Sequence, residues 1–267
     1  MRVTPDMRTA LTIAGSDSGG GAGIQADLKT FAALGVFGTS AITAITAQNT
    51  LGVTAVETMS SDIVRAQIDA VVADMGAAAV KTGMLSTSLI VQTVAQALRD
   101  HRLAPVVVDP VMISKSGHRL LDDGAVDAVV RDLLPLALVV TPNAHEAEAL
   151  TGRTVRTEAE ARDAGLRILD MGPMHVVLKG GHLETDDVVD VLVSAAGTVE
   201  LRGPRHAGRH THGTGCTFAA AMAAGLALGQ DVELAFREAR AYVDGAIRLA
   251  PGIGRGDGPL HHFWRVY

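Results

Sequence analysis

Short β-branched runs alternate with longer helix-patterned stretches along almost the whole chain, and nothing else in the sequence narrows the possible folds as much. Strands are predicted over 11–15, 41–46, 53–59, 78–84, 106–112, 138–143, 175–181, 188–194 and 198–202. Helices are predicted over 23–34, 61–73, 86–100, 123–134, 144–151, 157–171, 215–228 and 232–249. A strand that is followed by a helix and then another strand returns to the same sheet by a crossover. Repeating this unit gives a mostly parallel sheet with helices on both faces. The last two strand candidates, joined by Ala195-Ala196-Gly197, read instead as an antiparallel hairpin. No linker, repeat or low-complexity run divides the chain, so residues 1–267 are expected to form one α/β domain, with 1–9 as an N-terminal extension.

The polar residues cluster where these strands end. The first strand runs into Gly15-Ser16-Asp17-Ser18-Gly19-Gly20-Gly21-Ala22-Gly23, and the second reaches Gln48-Asn49. The fourth holds Lys81-Thr82-Gly83-Met84, the fifth Asp109-Pro110, the sixth Thr141-Pro142-Asn143 and the seventh Lys179-Gly180-Gly181. Ligands of open parallel sheets bind beyond the carboxyl ends of the strands, so these polar ends are expected to share one site.

The composition excludes other classes. Net charge is −6 with both signs interspersed and aromatics make up only 3%, which argues against a nucleic-acid face. No apolar run reaches the roughly 18 residues that span a bilayer, and the Met1–Arg8 segment lacks the apolar stretch of a secretory signal. Met7 is an alternative start. A single cysteine fits a reducing compartment, and a cytoplasmic location is expected. The histidines of Arg209-His210-Thr211-His212 and His261-His262 lack the partners of a zinc spacing and read as surface or loop residues.

Thr211-His212-Gly213-Thr214-Gly215-Cys216-Thr217 leads straight into an apolar helix. A helix start offers unpaired N–H groups and the positive end of the dipole, and glycines let a ligand approach the backbone. A thiol placed there is expected to have a lowered pKa and to serve as base or nucleophile; a Gly-rich turn around a structural Cys is the bland alternative. No lysine follows a glycine, so a Walker loop is absent. Gly21-Ala22-Gly23-Ile24-Gln25-Ala26 matches a dinucleotide fingerprint, but no carboxylate ends the second strand. Asp27 is either an exposed residue favouring a helix start or a carboxylate facing the crevice. Asn143 and Glu146 have the spacing of a capping box, and the same geometry would aim both at a hydrated Mg²⁺. Lys179, at a strand end before Gly180-Gly181, is expected to neutralise a phosphate, with an ordinary surface lysine as the bland alternative.

Several segments together resemble the hydroxymethylpyrimidine and phosphomethylpyrimidine kinases of thiamine biosynthesis. They are 10–31, Thr46–Thr50, Lys81–Leu85, Asp109–Met112, Lys115–Gly117, Thr141–Asn143, Lys179–His182, Thr211–Thr217 and Gly258–Phe263, in that order. The resemblance implies a three-layer ribokinase-like fold that uses ATP and Mg²⁺, with a monovalent cation such as K⁺ and a homodimer as further expectations. It implies that Gln48 contacts the aminopyrimidine, with Asp27 beside it and Gly15, Met84 and Val111 shaping the pocket. Asn143, Glu146 and Asp109 would organise Mg²⁺ through water. Lys179, Thr211 and Thr214 would contact ATP, and Gly213, Thr214, Gly215 and Cys216 would form the catalytic turn. His210 departs from the Asn that relatives often carry before this turn. The implied reaction phosphorylates 4-amino-5-hydroxymethyl-2-methylpyrimidine and then its monophosphate, and some mobility of the 115–117 loop is expected. The alternatives are a pyridoxal kinase of the same superfamily, a non-catalytic nucleotide or pyrimidine sensor, and a dinucleotide oxidoreductase.

Overall fold

The computed structural model describes residues 7–112, 121–122 and 124–266; the expected loop at 115–117 lies outside the described residues. Nine strands form one sheet: β1 (Thr9–Asp17), β2 (Phe37–Asn49), β3 (Gly52–Thr58), β4 (Ala79–Thr82), β5 (Val106–Val108), β6 (Val139–Val140), β7 (His175–Leu178), β8 (Val188–Ser194) and β9 (Gly197–Gly203). Their order is β3-β2-β1-β4-β5-β6-β7-β8-β9. The pairings from β2 through β7 are parallel, while β2–β3, β7–β8 and β8–β9 are antiparallel. The Ser194–Gly197 pair closes the predicted hairpin. The inner strands read as continuous apolar runs because helices bury both of their faces.

Helices α1 (Gly23–Ala33), α7 (Thr214–Ala227) and α8 (Val232–Arg248) cover one face. The other face carries α2 (Ser61–Asp74), α3 (Ser88–Asp100), α4 (Ala125–Ala128), α5 (Ala144–Thr151) and α6 (Glu158–Leu169). Side-chain caps on Ser60, Thr87, Asn143, Thr157 and Asp231 start five of these helices. The helix predicted at 123–134 is broken: α4 passes into a π turn at Val129–Leu133 and a 3₁₀ turn at Leu134–Leu136. Pro135 causes this, because it offers no N–H to the preceding turn and its ring crowds the carbonyl there.

Helix α7 is buried at every position from Thr217 to Ala227, since it lies between the sheet and the two helices α1 and α8. Its alanines and glycine keep that layer thin, and an amphipathic stripe would be out of place on it. The chain leaves β1 toward β2 on one side and returns to β4 on the other. This makes a topological switch point between β1 and β4, and the crevice beyond it faces the start of α7.

Candidate active site

A cavity of about 820 Å³ opens beyond the strand ends. Gly15, Gln48, Met84 and Val111 line it toward the β2 side; Asp109, Asn143, Glu146 and Lys179 line it toward β7; the 211–216 turn forms its floor. Every site residue the sequence singled out borders this space except Asp27.

The glycine-rich segment after β1 is folded around Asp17. Its Oδ1 accepts from the Gly19 N–H at 2.8 Å, and its Oδ2 from Gly21 at 3.0 Å and Ala22 at 2.8 Å. Oδ2 also lies 3.0 Å from His212 Nε2. Burial pushes this carboxyl up, but His212 and the backbone donors outweigh it and hold Asp17 below its ordinary value. The amides that would cradle a pyrophosphate in a dinucleotide fold are therefore used internally, which removes the physical basis of the Gly21–Ala26 match.

Gln48 stands at the end of β2, one end of its carboxamide 3.1 Å from Thr46 Oγ1 and the other 3.1 Å from His212 Nε2. The turn carrying His212 is pinned on two sides. The His212 N–H donates to the Gly258 carbonyl at 3.1 Å, which ties the turn to the Gly258–Phe263 segment. Gly213 adopts φ +83°, and a Cβ there would lie 1.8 Å from the Gly21 carbonyl oxygen. Only glycine allows the two loops to close on each other. His262, read from the sequence as a surface or loop residue, is instead buried and lies 3.1 Å from Thr217 Oγ1. Burial holds it down at about 4, with Lys29 and His261 adding to the effect, so it supports α7 as a neutral ring.

At the other end, Lys179 Nζ donates to Asp109 Oδ1 at 2.8 Å and stands 3.8 Å from Glu146 Oε2. Gly215 packs on this ammonium: a Cβ there would be 3.0 Å from Nζ. Asn143 and Glu146 form the capping box of α5, with Glu146 N–H to Asn143 Oδ1 at 3.0 Å and Asn143 N–H to Glu146 Oε2 at 2.7 Å. Burial pushes the Glu146 carboxyl up to about 7, against the pull of Lys179. Burial draws Lys179 down, but Asp109 and Glu146 outweigh it and raise it. The residues fit Mg²⁺ held through water and phosphate oxygens. Asp109 Oδ2 is buried with no hydrogen-bond partner, and no cluster of three acidic, His or Cys residues among the described residues forms an all-protein cage.

Two expectations are corrected. Asp27 does not face the cavity: it is completely buried, with Oδ2 accepting from Thr12 Oγ1 at 2.6 Å and from Lys81 Nζ at 2.9 Å. Burial raises its pKa despite Lys81. Nor does the helix start lower the Cys216 pKa. Burial pushes the thiol up to about 11 against the pull of Lys81, and Asp109 and Asp27 add to the rise. Desolvation beside two carboxylates outweighs the dipole of α7. Sequence reading placed Lys81, Asp17 and His212 in segments expected to converge on the site but gave none of them a role. Lys81 is drawn down by burial yet raised overall by Asp27, Cys216 and Asp109. Its signal was a lysine inside an otherwise apolar strand.

The family model for phosphomethylpyrimidine kinase matches residues 17–261. A hydroxymethylpyrimidine/phosphomethylpyrimidine kinase of Streptomyces coelicolor is 51% identical over 264 residues, covering 99% of this chain and 97% of that protein. The crystal structure of a Clostridium difficile phosphomethylpyrimidine kinase superposes with TM-score 0.81 at 44% identity, over 90% of this chain and 99% of that one. A Bacillus subtilis pyridoxal kinase in complex with ADP superposes with TM-score 0.89 at 38% identity, over 96% and 98%.

Proposed function

The chain belongs to the phosphomethylpyrimidine kinase family, and on that premise we propose that it transfers the γ-phosphoryl group of ATP to 4-amino-5-hydroxymethyl-2-methylpyrimidine and then to the resulting monophosphate. The observation that carries this reading is the two-ended cavity, with an amide and apolar residues at one end and a lysine between carboxylates at the other.

Gln48 pairs with the aminopyrimidine edge, while Gly15, Met84 and Val111 hold the ring faces. Lys179 meets the phosphate oxygens, and Thr211 and Thr214 border them at the start of α7. Mg²⁺, held by Asp109, Asn143 and Glu146 through water, supplies charge neutralisation on the phosphates when bound. Cys216 keeps its proton at neutral pH, so its first role is to position the substrate hydroxyl from the turn. Phosphoryl transfer through a loose transition state needs positioning and charge more than it needs a strong base. The hydroxyl oxygen bonds to phosphorus as the bond to the terminal oxygen of ADP breaks, and the hydroxyl proton passes late to an oxygen of the transferred phosphoryl group and from there to solvent.

A second reading, phosphorylation of pyridoxal, is favoured by the 0.89 superposition on a pyridoxal kinase. Mass-spectrometric product analysis with Mg·ATP and either substrate separates the two, and product from pyridoxal alone would transfer the assignment. Cys216→Ala should slow the pyrimidine reaction while leaving ATP bound; full activity in that variant would remove Cys216 from the chemistry. A homodimer and a K⁺ requirement belong to the same reading, and light scattering and replacement of K⁺ by Na⁺ test them.

A further inference from the structure

We infer that His212, braced by Asp17, fixes which way round the Gln48 carboxamide stands, and that this polarity decides which way round an aminopyrimidine ring docks. The inference rests on the proposed contact between Gln48 and the ring.

The proton counts on the two sides of Gln48 lead to the same answer independently. Thr46 has one hydroxyl proton, and the Ser16 carbonyl, 2.9 Å away, accepts it. Thr46 therefore meets the amide end 3.1 Å away as an acceptor, so that end is the NH₂. On the opposite side, His212 Nε2 lies 3.0 Å from Asp17 Oδ2, which two backbone N–H groups already hold in its charged form. A bare nitrogen lone pair facing this carboxylate would be repelled, so Nε2 carries a proton. A protonated ring nitrogen has no lone pair to accept from an amide NH₂, so the amide end 3.1 Å from it is the carbonyl oxygen, which shares the single Nε2 proton with Asp17 in a bifurcated bond. This exchanges the nominal oxygen and nitrogen of the amide, which only its partners can assign.

With that polarity, each end keeps one hydrogen-bonding capacity for the cavity: a lone pair on Oε1 near His212 and an N–H near Thr46. Around the edge of a 5-hydroxymethyl-4-aminopyrimidine lie the carbinol, the amino donor and the ring-nitrogen acceptor, in that order. The amino group pairs with Oε1 and the ring nitrogen with the amide N–H. The carbinol then projects on the His212 side, toward the turn that also carries Cys216. A reversed amide would turn the ring over and send the carbinol toward Thr46. His212 is thus a positioning residue that selects the productive orientation.

Long-range ¹H–¹⁵N correlation on His212 reads the key proton directly. A protonated Nε2 is expected, and a bare Nε2 with the proton on Nδ1 overturns the inference. His212→Ala should raise KM for the pyrimidine about tenfold, with KM for ATP and for pyridoxal unchanged. His212→Gln, whose amide can donate to Asp17 and Gln48, should restore most of the loss. Equal losses on both substrates, a raised KM for ATP, or no rescue at unchanged melting temperature would overturn it. Gln48→Ala separates the two levels: if it leaves the pyrimidine KM alone, the ring-contact reading fails and this inference with it. If it raises KM while His212→Ala does not, only this inference fails.

Discussion

Two lysine–aspartate pairs, one joining β4 to α1 and the other joining the ends of β7 and β5, are alike in chemistry and nearly alike in length. Lys81 meets Asp27 at 2.9 Å with both side chains 0% exposed, while Lys179 meets Asp109 at 2.8 Å with 11% and 1% exposure. In the first pair Asp27 lies behind the cavity wall and Lys81 lines it with no exposed surface, so removing either partner strands a charge. The second borders the cavity, where its lysine can turn from a carboxylate to a phosphate without being dehydrated anew. A difference of a few per cent in exposure thus separates a pair that holds the frame from one that can do chemistry.

The largest test of that contrast is Lys81→Met. It should cost about 3–5 kcal/mol of unfolding free energy in denaturant titrations, and pairing it with Asp27→Leu should recover most of the loss. Unchanged stability in the single variant would erase the distinction. Lys179→Met should instead lower kcat about a hundredfold, with a much smaller change in denaturation midpoint. A smaller effect comes from Glu146, which is pushed up to about 7 from an unfolded value of 4.5. Between those values the folded protein holds a proton that the unfolded chain has released, so stability falls as pH rises through the window and levels off above it. Glu146→Gln keeps the cap and should flatten that fall in melting temperature between pH 4.5 and 7. The smallest is Thr12→Val, which removes the 2.6 Å hydrogen bond to Asp27 and should cost about 1–2 kcal/mol without altering kcat.

The nine strands were legible because each is a β-branched run bounded by turn residues, and the hairpin because Ala195-Ala196-Gly197 leaves room for nothing longer. The broken helix at 123–134 was less legible, since an apolar period continues through Pro135 while the backbone cannot. Gln48, Asp109 and Lys179 could be placed because each terminates a strand, and strand ends of a parallel sheet converge. Asp27 and Cys216 were misjudged for one reason: position on a helix predicts a dipole effect, whereas burial, which local pattern does not encode, decides the pKa. The partnership of Asp17 and His212 could not be read because it spans 195 residues, and neither segment carries a mark of the other.

That span also sets an order of events in folding. The substrate-facing amide is braced by a histidine from the last quarter of the chain, and Gly213 must close on Gly21 before the cavity has a floor. Contacts so far apart in sequence form late, after local helices and neighbouring strands are in place. A nascent chain that has completed β1 to β7 therefore has the parallel strands of its sheet but no binding site, and neither ligand can guide its early collapse. Ligands add stability only once α7 has docked, so they guard the finished enzyme against unfolding rather than hasten its assembly.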